Sequence, residues 1–233
     1  MPEPGSLPLY QQIAELLIRD IAAGRLADGM RLPPEREMAA GMGIAVGTLR
    51  KALAELGARG LVEPVQGSGN YIRHRSEPES VYALFRLELT EGGGLPTARV
   101  LDVTRTPKPQ DLPEFGIADF AWRIRRLRFL SKVPAAVEEI FLDGSYCADL
   151  RAGALSESLY LHYRDALGLW IQRAEDRIST GALPDWAPAG FAHPPGTVLP
   201  QVVRISWAQD NTRAEVSRSW FDPARVNYVA RLK

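Results

Sequence analysis

The chain has 233 residues, room for one large domain or two ordinary ones. Hydrophobic residues make up 45%, which excludes a disordered chain. Its 28 basic residues are matched by 28 acidic ones, which excludes nucleic-acid binding driven by bulk charge but not a small DNA-reading head on a neutral body.

The first helix is expected from Pro8, a residue favoured at the first helical position, with Ile13, Leu16, Leu17 and Ile21 on one apolar face and Gly24 at its end. Leu32-Pro33-Pro34 cannot continue a helix, and Glu35 opens the next one with acidic charge in its first turn. Gly41 and Gly43 bracket a tight turn. Val46 to Ala58 form a third helix, with Leu49, Leu53 and Leu56 as its buried stripe. Leu61–Val65 and Asn70–Arg73 read as short strands joined by Gln66-Gly67-Ser68-Gly69. Helix, turn, helix and hairpin in this order make a winged helix-turn-helix, whose second motif helix enters the DNA major groove.

The polar, proline-containing segment 74–80 reads as a linker between a head at 1–73 and a second domain at 81–233. Strands are expected at 82–90, 97–105, 121–130, 135–142, 168–178, 197–208, 212–221 and 226–232, with a helix over Leu155 to Ala166. The fold class is therefore a two-domain α+β protein, its second domain built on an antiparallel sheet. All five tryptophans follow residue 120. Trp170, Trp207 and Trp220 are expected in the core. Trp186, in a proline-bounded loop, is a candidate to close over a ligand site.

One cysteine, Cys147, permits no disulfide framework, and His74, His162 and His193 match no ligand spacing, so neither metal nor cofactor is expected. No signal peptide and no apolar run of about 18 residues is visible. The expectation is a cytoplasmic protein without a membrane partner.

Alternation in 122–130 puts Trp122, Ile124, Arg126, Arg128 and Leu130 on one face. Arginines on an apolar face are costly unless paired or meeting an anion. The next strand carries Glu138, and a hairpin would set it beside them. The residues alone fit two readings equally: a structural ion pair, or a site offering fork-shaped donors to a phosphate or carboxylate. Thr90, before a triple-glycine turn, could add a hydroxyl.

Residues 7 to 73 resemble the winged head of the GntR family of bacterial transcription factors. The carrying motifs are Pro8-Leu9-Tyr10-x-Gln12-Ile13, Gly24-x-Leu26, Gly29-x-x-Leu32-Pro33, Pro34-Glu35-Arg36, Gly47-Thr48-Leu49-Arg50-Lys51-Ala52-Leu53 and Gly67-Ser68-Gly69. The resemblance implies that Arg36, Thr48 and Arg50 contact bases or phosphates and that Gly67 lets the wing approach the minor groove. A helix N-terminus suits phosphate, an arginine suits guanine, and a glycine has no Cβ to strike the backbone. Many members carry Ser-Arg where this chain has Ala45-Val46. Losing that arginine implies a different operator, or affinity lower by roughly 1–3 kcal/mol per half-site. Lys51, Gln66 and Arg73 are candidate substitutes.

From about residue 82 the chain is similar to the UTRA effector domain of the HutC-type branch, whose fold resembles chorismate lyase. Arg126-x-Arg128, Pro134, Glu138, Ser158-Leu159-Tyr160 and Ala214-Glu215-x-Ser217 carry this similarity. It implies an effector site lined by Arg126, Arg128, Glu138, Ser158, Tyr160 and Glu215. The implied partners are double-stranded operator DNA, a second copy of the chain paired through its effector domain, and an anionic metabolite such as a sugar phosphate, a carboxylate or an amino-acid derivative. The implied function is a ligand-responsive regulator, a repressor on a near-palindromic operator rather than an enzyme. Retained chorismate-lyase-like activity is the alternative, disfavoured because a fused DNA head would then lack a purpose.

Overall fold

The computed structural model describes residues 8–22, 24–73, 82 and 84–231. They fall in two compact units, whose main segments run Leu7–Phe85 and Arg86–Ala230. The linker expected at 74–80 lies outside the described residues.

In the first unit, helix α1 (Leu9–Ala22) buries Ile13, Leu17, Ile18 and Ile21. Helix α3 (Val46–Ala58) buries Leu49, Ala52, Leu53 and Leu56. Each such aliphatic side chain withdrawn from water contributes about 1.5–3 kcal/mol. Helix α2 (Glu35–Gly41) buries only Ala39. Gly43, at φ 64°, turns the chain into α3, and the Ile44 amide donates to the Ala39 carbonyl. Strands β1 (Val62–Val65) and β2 (Gly69–Ile72) pair antiparallel around a turn with Gly67 at φ 73°. The wing is wider than the sequence suggests. The Gly29 and Leu32 amides donate to the Ile72 and Asn70 carbonyls, the Ile72 amide donates to Met30, and Arg31 bridges Tyr71.

The second unit is one six-stranded antiparallel sheet, ordered β4-β5-β6-β9-β8-β7. Its strands are β4 (Pro96–Pro107), β5 (Phe120–Leu130), β6 (Val133–Asp143), β7 (Ile171–Ala182), β8 (Val198–Ala208) and β9 (Arg213–Phe221). A separate ribbon pairs β3 (Leu87–Leu89) with β10 (Val226–Tyr228). Of the strands expected at 82–90 and 226–232, the described residues pair only over these three-residue pieces. Helix α4 (Leu159–Leu167) starts later than expected, since Ser158 is its N-cap and residues 155–157 precede it. Gly168, at φ 64°, ends it. The β5–β6 turn is tighter than expected: Ser131 and Lys132, both at positive φ, form a two-residue connection suited to the twist of a hairpin.

The pairing register sorts side chains by face. Leu127, Val137, Leu199 and Trp220 cluster with Leu183 and Phe191 on one face, with Trp186 packed against them. Phe141, Ile205, Trp207 and Val216 continue that face. The other face carries Arg126, Arg128, Glu138, Asp176, Arg204, Ser206 and Glu215, together with the tyrosines of α4. Trp186 therefore cannot close over the arginines. It stands on the opposite face, edge-on to Trp220 and against Arg125. Trp207 and Trp220 are core as expected, while Trp170 is only half-buried.

Candidate functional site

The head presents one set of candidate contacts. Arg36 on α2, Arg50 and Lys51 on α3, and Gln66 and Gly67 at the hairpin tip are exposed; Thr48 is half-buried in the first turn of α3. Ala45, the N-cap of α3, offers no side-chain acceptor, so the polar cap usual at such an end is missing. Arg50 donates from Nε to Glu35 Oε2 at 2.6 Å, with 65% of its side chain exposed. Arg73 is likewise engaged, donating to Glu63 at 2.7 Å across the hairpin. Arg31, inside the Gly29-x-x-Leu32-Pro33 motif, is exposed and is laid beside Gly69 by its pairing with β2.

The second unit holds a buried polar cluster. Arg126 and Glu138 are directly opposed across β5 and β6. Arg126 Nη2 donates to Glu138 Oε2 at 2.7 Å, and Arg128 donates from Nε to Oε1 and from Nη2 to Oε2, both at 3.2 Å. Both arginines also donate to the Glu157 carbonyl, at 3.2 and 3.5 Å, which holds the approach to α4 against the sheet. All three side chains are buried. Burial alone would raise the Glu138 pKa, but the two guanidiniums outweigh it and bring the carboxyl down to about 2. Burial, with Arg128 alongside, pushes Arg126 down. Two guanidiniums share the Glu138 carboxylate here. Arg126 Nε is buried without a hydrogen-bond partner among the described residues. A buried donor left in this state costs free energy that an added acceptor would recover.

Next to this lies a hydroxyl-lined carboxylate. Glu215 accepts from Tyr163 at 2.8 Å and Ser206 at 3.1 Å, and Tyr160 Oη sits 2.9 Å from Ser206 Oγ. Burial raises the Glu215 pKa, and burial plus the Glu215 charge raises both tyrosines.

Arg126, Arg128, Glu138, Tyr160 and Glu215 thus share one face of the sheet. Ser158 is buried nearby, but its hydroxyl accepts from the Leu161 amide as the α4 cap. Thr90 is not among them: it is exposed and its hydroxyl donates to Glu91. Tyr163, Ser206, Arg204 and Asp176 were missed. Arg204 and Ser206 alternate along β8 as Arg126 and Arg128 do along β5, and Tyr163 follows Tyr160 by three helical positions, so a signal was present. Among the described residues no group of three or more His, Cys, Asp or Glu side chains could hold a metal ion. No helix among them is long and apolar enough to cross a membrane.

A winged DNA-reading head followed by an antiparallel-sheet unit with a buried polar cluster defines a ligand-controlled DNA-binding protein. The gntR family of bacterial regulatory proteins matches residues 9–72, and the UTRA domain matches residues 91–227. SmoD, an HTH-type transcriptional regulator of Agrobacterium fabrum, is 61% identical over 98% of both chains. MngR of Escherichia coli, the mannosyl-D-glycerate transport/metabolism system repressor, is 28% identical over 75% of each. The crystal structure of YydK from Bacillus subtilis has the same fold, with a TM-score of 0.54 at 19% identity over 97% of this chain and all of that one. The chain belongs to the GntR family, as a member with a UTRA domain. It is a DNA-binding transcriptional regulator that takes a small-molecule effector through that domain, and it is not an enzyme.

Proposed function

We propose that the protein is a cytoplasmic, homodimeric repressor released from a near-palindromic operator by an anionic effector held at Arg126 and Arg128. A two-fold dimer presents two heads to two half-sites. Arg36, Thr48, Arg50, Lys51, Gln66 and Gly67 would face the DNA. The observation that carries the effector reading is the buried Arg126 Nε, which has no hydrogen-bond partner among the described residues although its guanidinium stands beside Arg128 on the polar face. A phosphate or carboxylate supplies the missing acceptor. The hydroxyls and carboxylate at Tyr160, Ser206 and Glu215 suit a polyhydroxyl body attached to that anion. The glycerate named for MngR, a glycosylated carboxylate, has this chemistry. A permanently internal Arg–Glu pair is the competing account.

The test is thermal denaturation of the full chain with a panel of sugar phosphates, sugar acids and their neutral parent sugars. Selective stabilisation by an anionic member, rising with concentration, is expected. Stabilisation by neutral sugars alone, or by none, would refute the anionic site.

A further inference from the structure

The polar face continues beyond the proposed effector contacts, and its far end is tied to a strand near the domain junction. Arg204 on β8 and Asp176 on β7 are cross-strand neighbours. Arg204 donates from Nε to Oδ1 and from Nη2 to Oδ2, each at 2.6 Å, a bidentate fork with little side-chain exposure. On the cluster side, Arg204 stands two residues from Ser206 on the same face of β8 and its charge acts on the Tyr160 phenol, which in turn reaches Ser206 and Glu215. On the other side, Asp176 accepts from Tyr228 Oη at 2.5 Å. Burial and the Asp176 charge push the Tyr228 phenol up to about 12, so it remains a donor at neutral pH.

Tyr228 lies on β10, opposite Leu87 of β3. The Val229 amide donates to the Arg86 carbonyl at 2.7 Å. Among the described residues, β3 is the first strand after the head. The β3–β10 ribbon has three residue pairs, too few to hold a fixed geometry by themselves. Leu87, Leu89 and Val226 bury its apolar side against the unit. A short charge-assisted hydrogen bond from Tyr228 adds a directional tie to the polar face, because both distance and angle matter.

We propose that Arg204, Asp176 and Tyr228 act as positioning residues that carry the state of the effector cluster to the β3–β10 ribbon, and so to the segment leading to the head. The inference rests on the effector reading of the cluster. An effector hydroxyl that engages Tyr160 or Glu215 changes what Arg204 faces. Arg204 cannot turn without opening its fork on Asp176, and Asp176 cannot shift without pulling Tyr228. Coupling of this kind needs an element with two available arrangements, and a short ribbon at the low-stability end of the unit is one.

The test is hydrogen–deuterium exchange on the full chain, without ligand or DNA. Tyr160→Phe perturbs the cluster end and Tyr228→Phe cuts the link; Ser206→Ala is the second cluster-end variant should Tyr160→Phe loosen the whole unit. Loss of a charge-assisted hydrogen bond sets the scale, so Tyr160→Phe is expected to speed exchange in 87–89 and 226–228 by roughly three- to tenfold. In the Tyr228→Phe background the same change should leave those amides as it finds them, and β5–β6 amides should not respond in either. Unchanged ribbon exchange in both cluster-end variants, or equal acceleration with Tyr228 already replaced, overturns the link. No effector enters the measurement, so that failure leaves the anionic-site reading standing; the ligand panel tests that reading separately.

Discussion

Arg126 and Glu138 face each other across a single pair of strands, 2.7 Å apart and both buried, with Arg128 sharing the same carboxylate. Removing one member of a buried pair leaves the other charge uncompensated, which costs about 3–5 kcal/mol. Here Glu138→Gln removes the charge that two guanidiniums share, so a loss within that range is expected. Urea denaturation at neutral pH should show the loss as a lower midpoint with little change in slope.

The same carboxyl fixes an acid limb. Its pKa falls from 4.5 to about 2 on folding, so the folded state holds it ionised more readily than the unfolded state does. Its contribution, about 3 kcal/mol from the shift, is fully present above pH 4.5 and is lost as pH falls through about 2. Stability measured from pH 5 to 2 should fall more steeply in the parent than in Glu138→Gln. Parallel curves would remove Glu138 as the cause.

In the head, Arg50 rests on Glu35 through an exposed pair. Exposed pairs contribute at most about 1 kcal/mol, so Glu35→Gln should leave folding nearly unchanged and alter operator affinity by less than about fivefold. Arg50→Ala should weaken specific binding by roughly 5- to 150-fold per half-site, the worth of a good base contact. Fluorescence anisotropy with the chain's own upstream DNA separates the two. Equal affinity in the parent and Arg50→Ala would exclude Arg50 as a reader.

Two glycines with positive φ should behave differently. A Cβ on Gly94, at φ 102°, would stand 2.9 Å from Leu130 Cβ, while one on Gly67, at φ 73°, meets nothing within 4 Å. Gly94→Ala carries both steric overlap and backbone strain, about 2–4 kcal/mol together; Gly67→Ala carries only the strain, about 1 kcal/mol. Melting temperatures should rank accordingly. If Gly67 lies against DNA, its variant should lose more in operator binding than in stability.

The contrast between these sites shows what the sequence could disclose. Arg126 and Glu138 were legible because they sit on consecutive strands joined by a short turn, so a period of two plus one hairpin brings them together. The three helices of the head were legible for the same local reason, through Leu49, Leu53 and Leu56 on one side and the glycines at the ends. Asp176 and Arg204 were not. β7 and β8 are consecutive, but residues 183–197 separate them, so no short turn sets their register, and the sequence does not state where the helix carrying Tyr160 lies on the sheet. Trp186 went to the wrong face because a loop residue has no periodicity to orient it. Ser158 also caps α4, a role that its place just before an apolar helix makes legible.

Arg128 offers the sharpest separation of effector response from folding. Arg128→Ala would confound the two, because it strips a partner from buried Glu138. Arg128→Lys keeps the charge beside Glu138 but replaces the planar fork with a point donor. If the arginines grip an anion in bidentate fashion, this variant should bind the stabilising ligand about 10- to 100-fold more weakly, the difference between a fork and a single charge-assisted bond. Its operator affinity without ligand should match the parent, since none of the candidate DNA contacts lies in that unit. Calorimetric titration with the anion selected from the panel measures the first, and anisotropy measures the second. Undiminished ligand affinity would return Arg128 to a purely internal ion pair with Glu138.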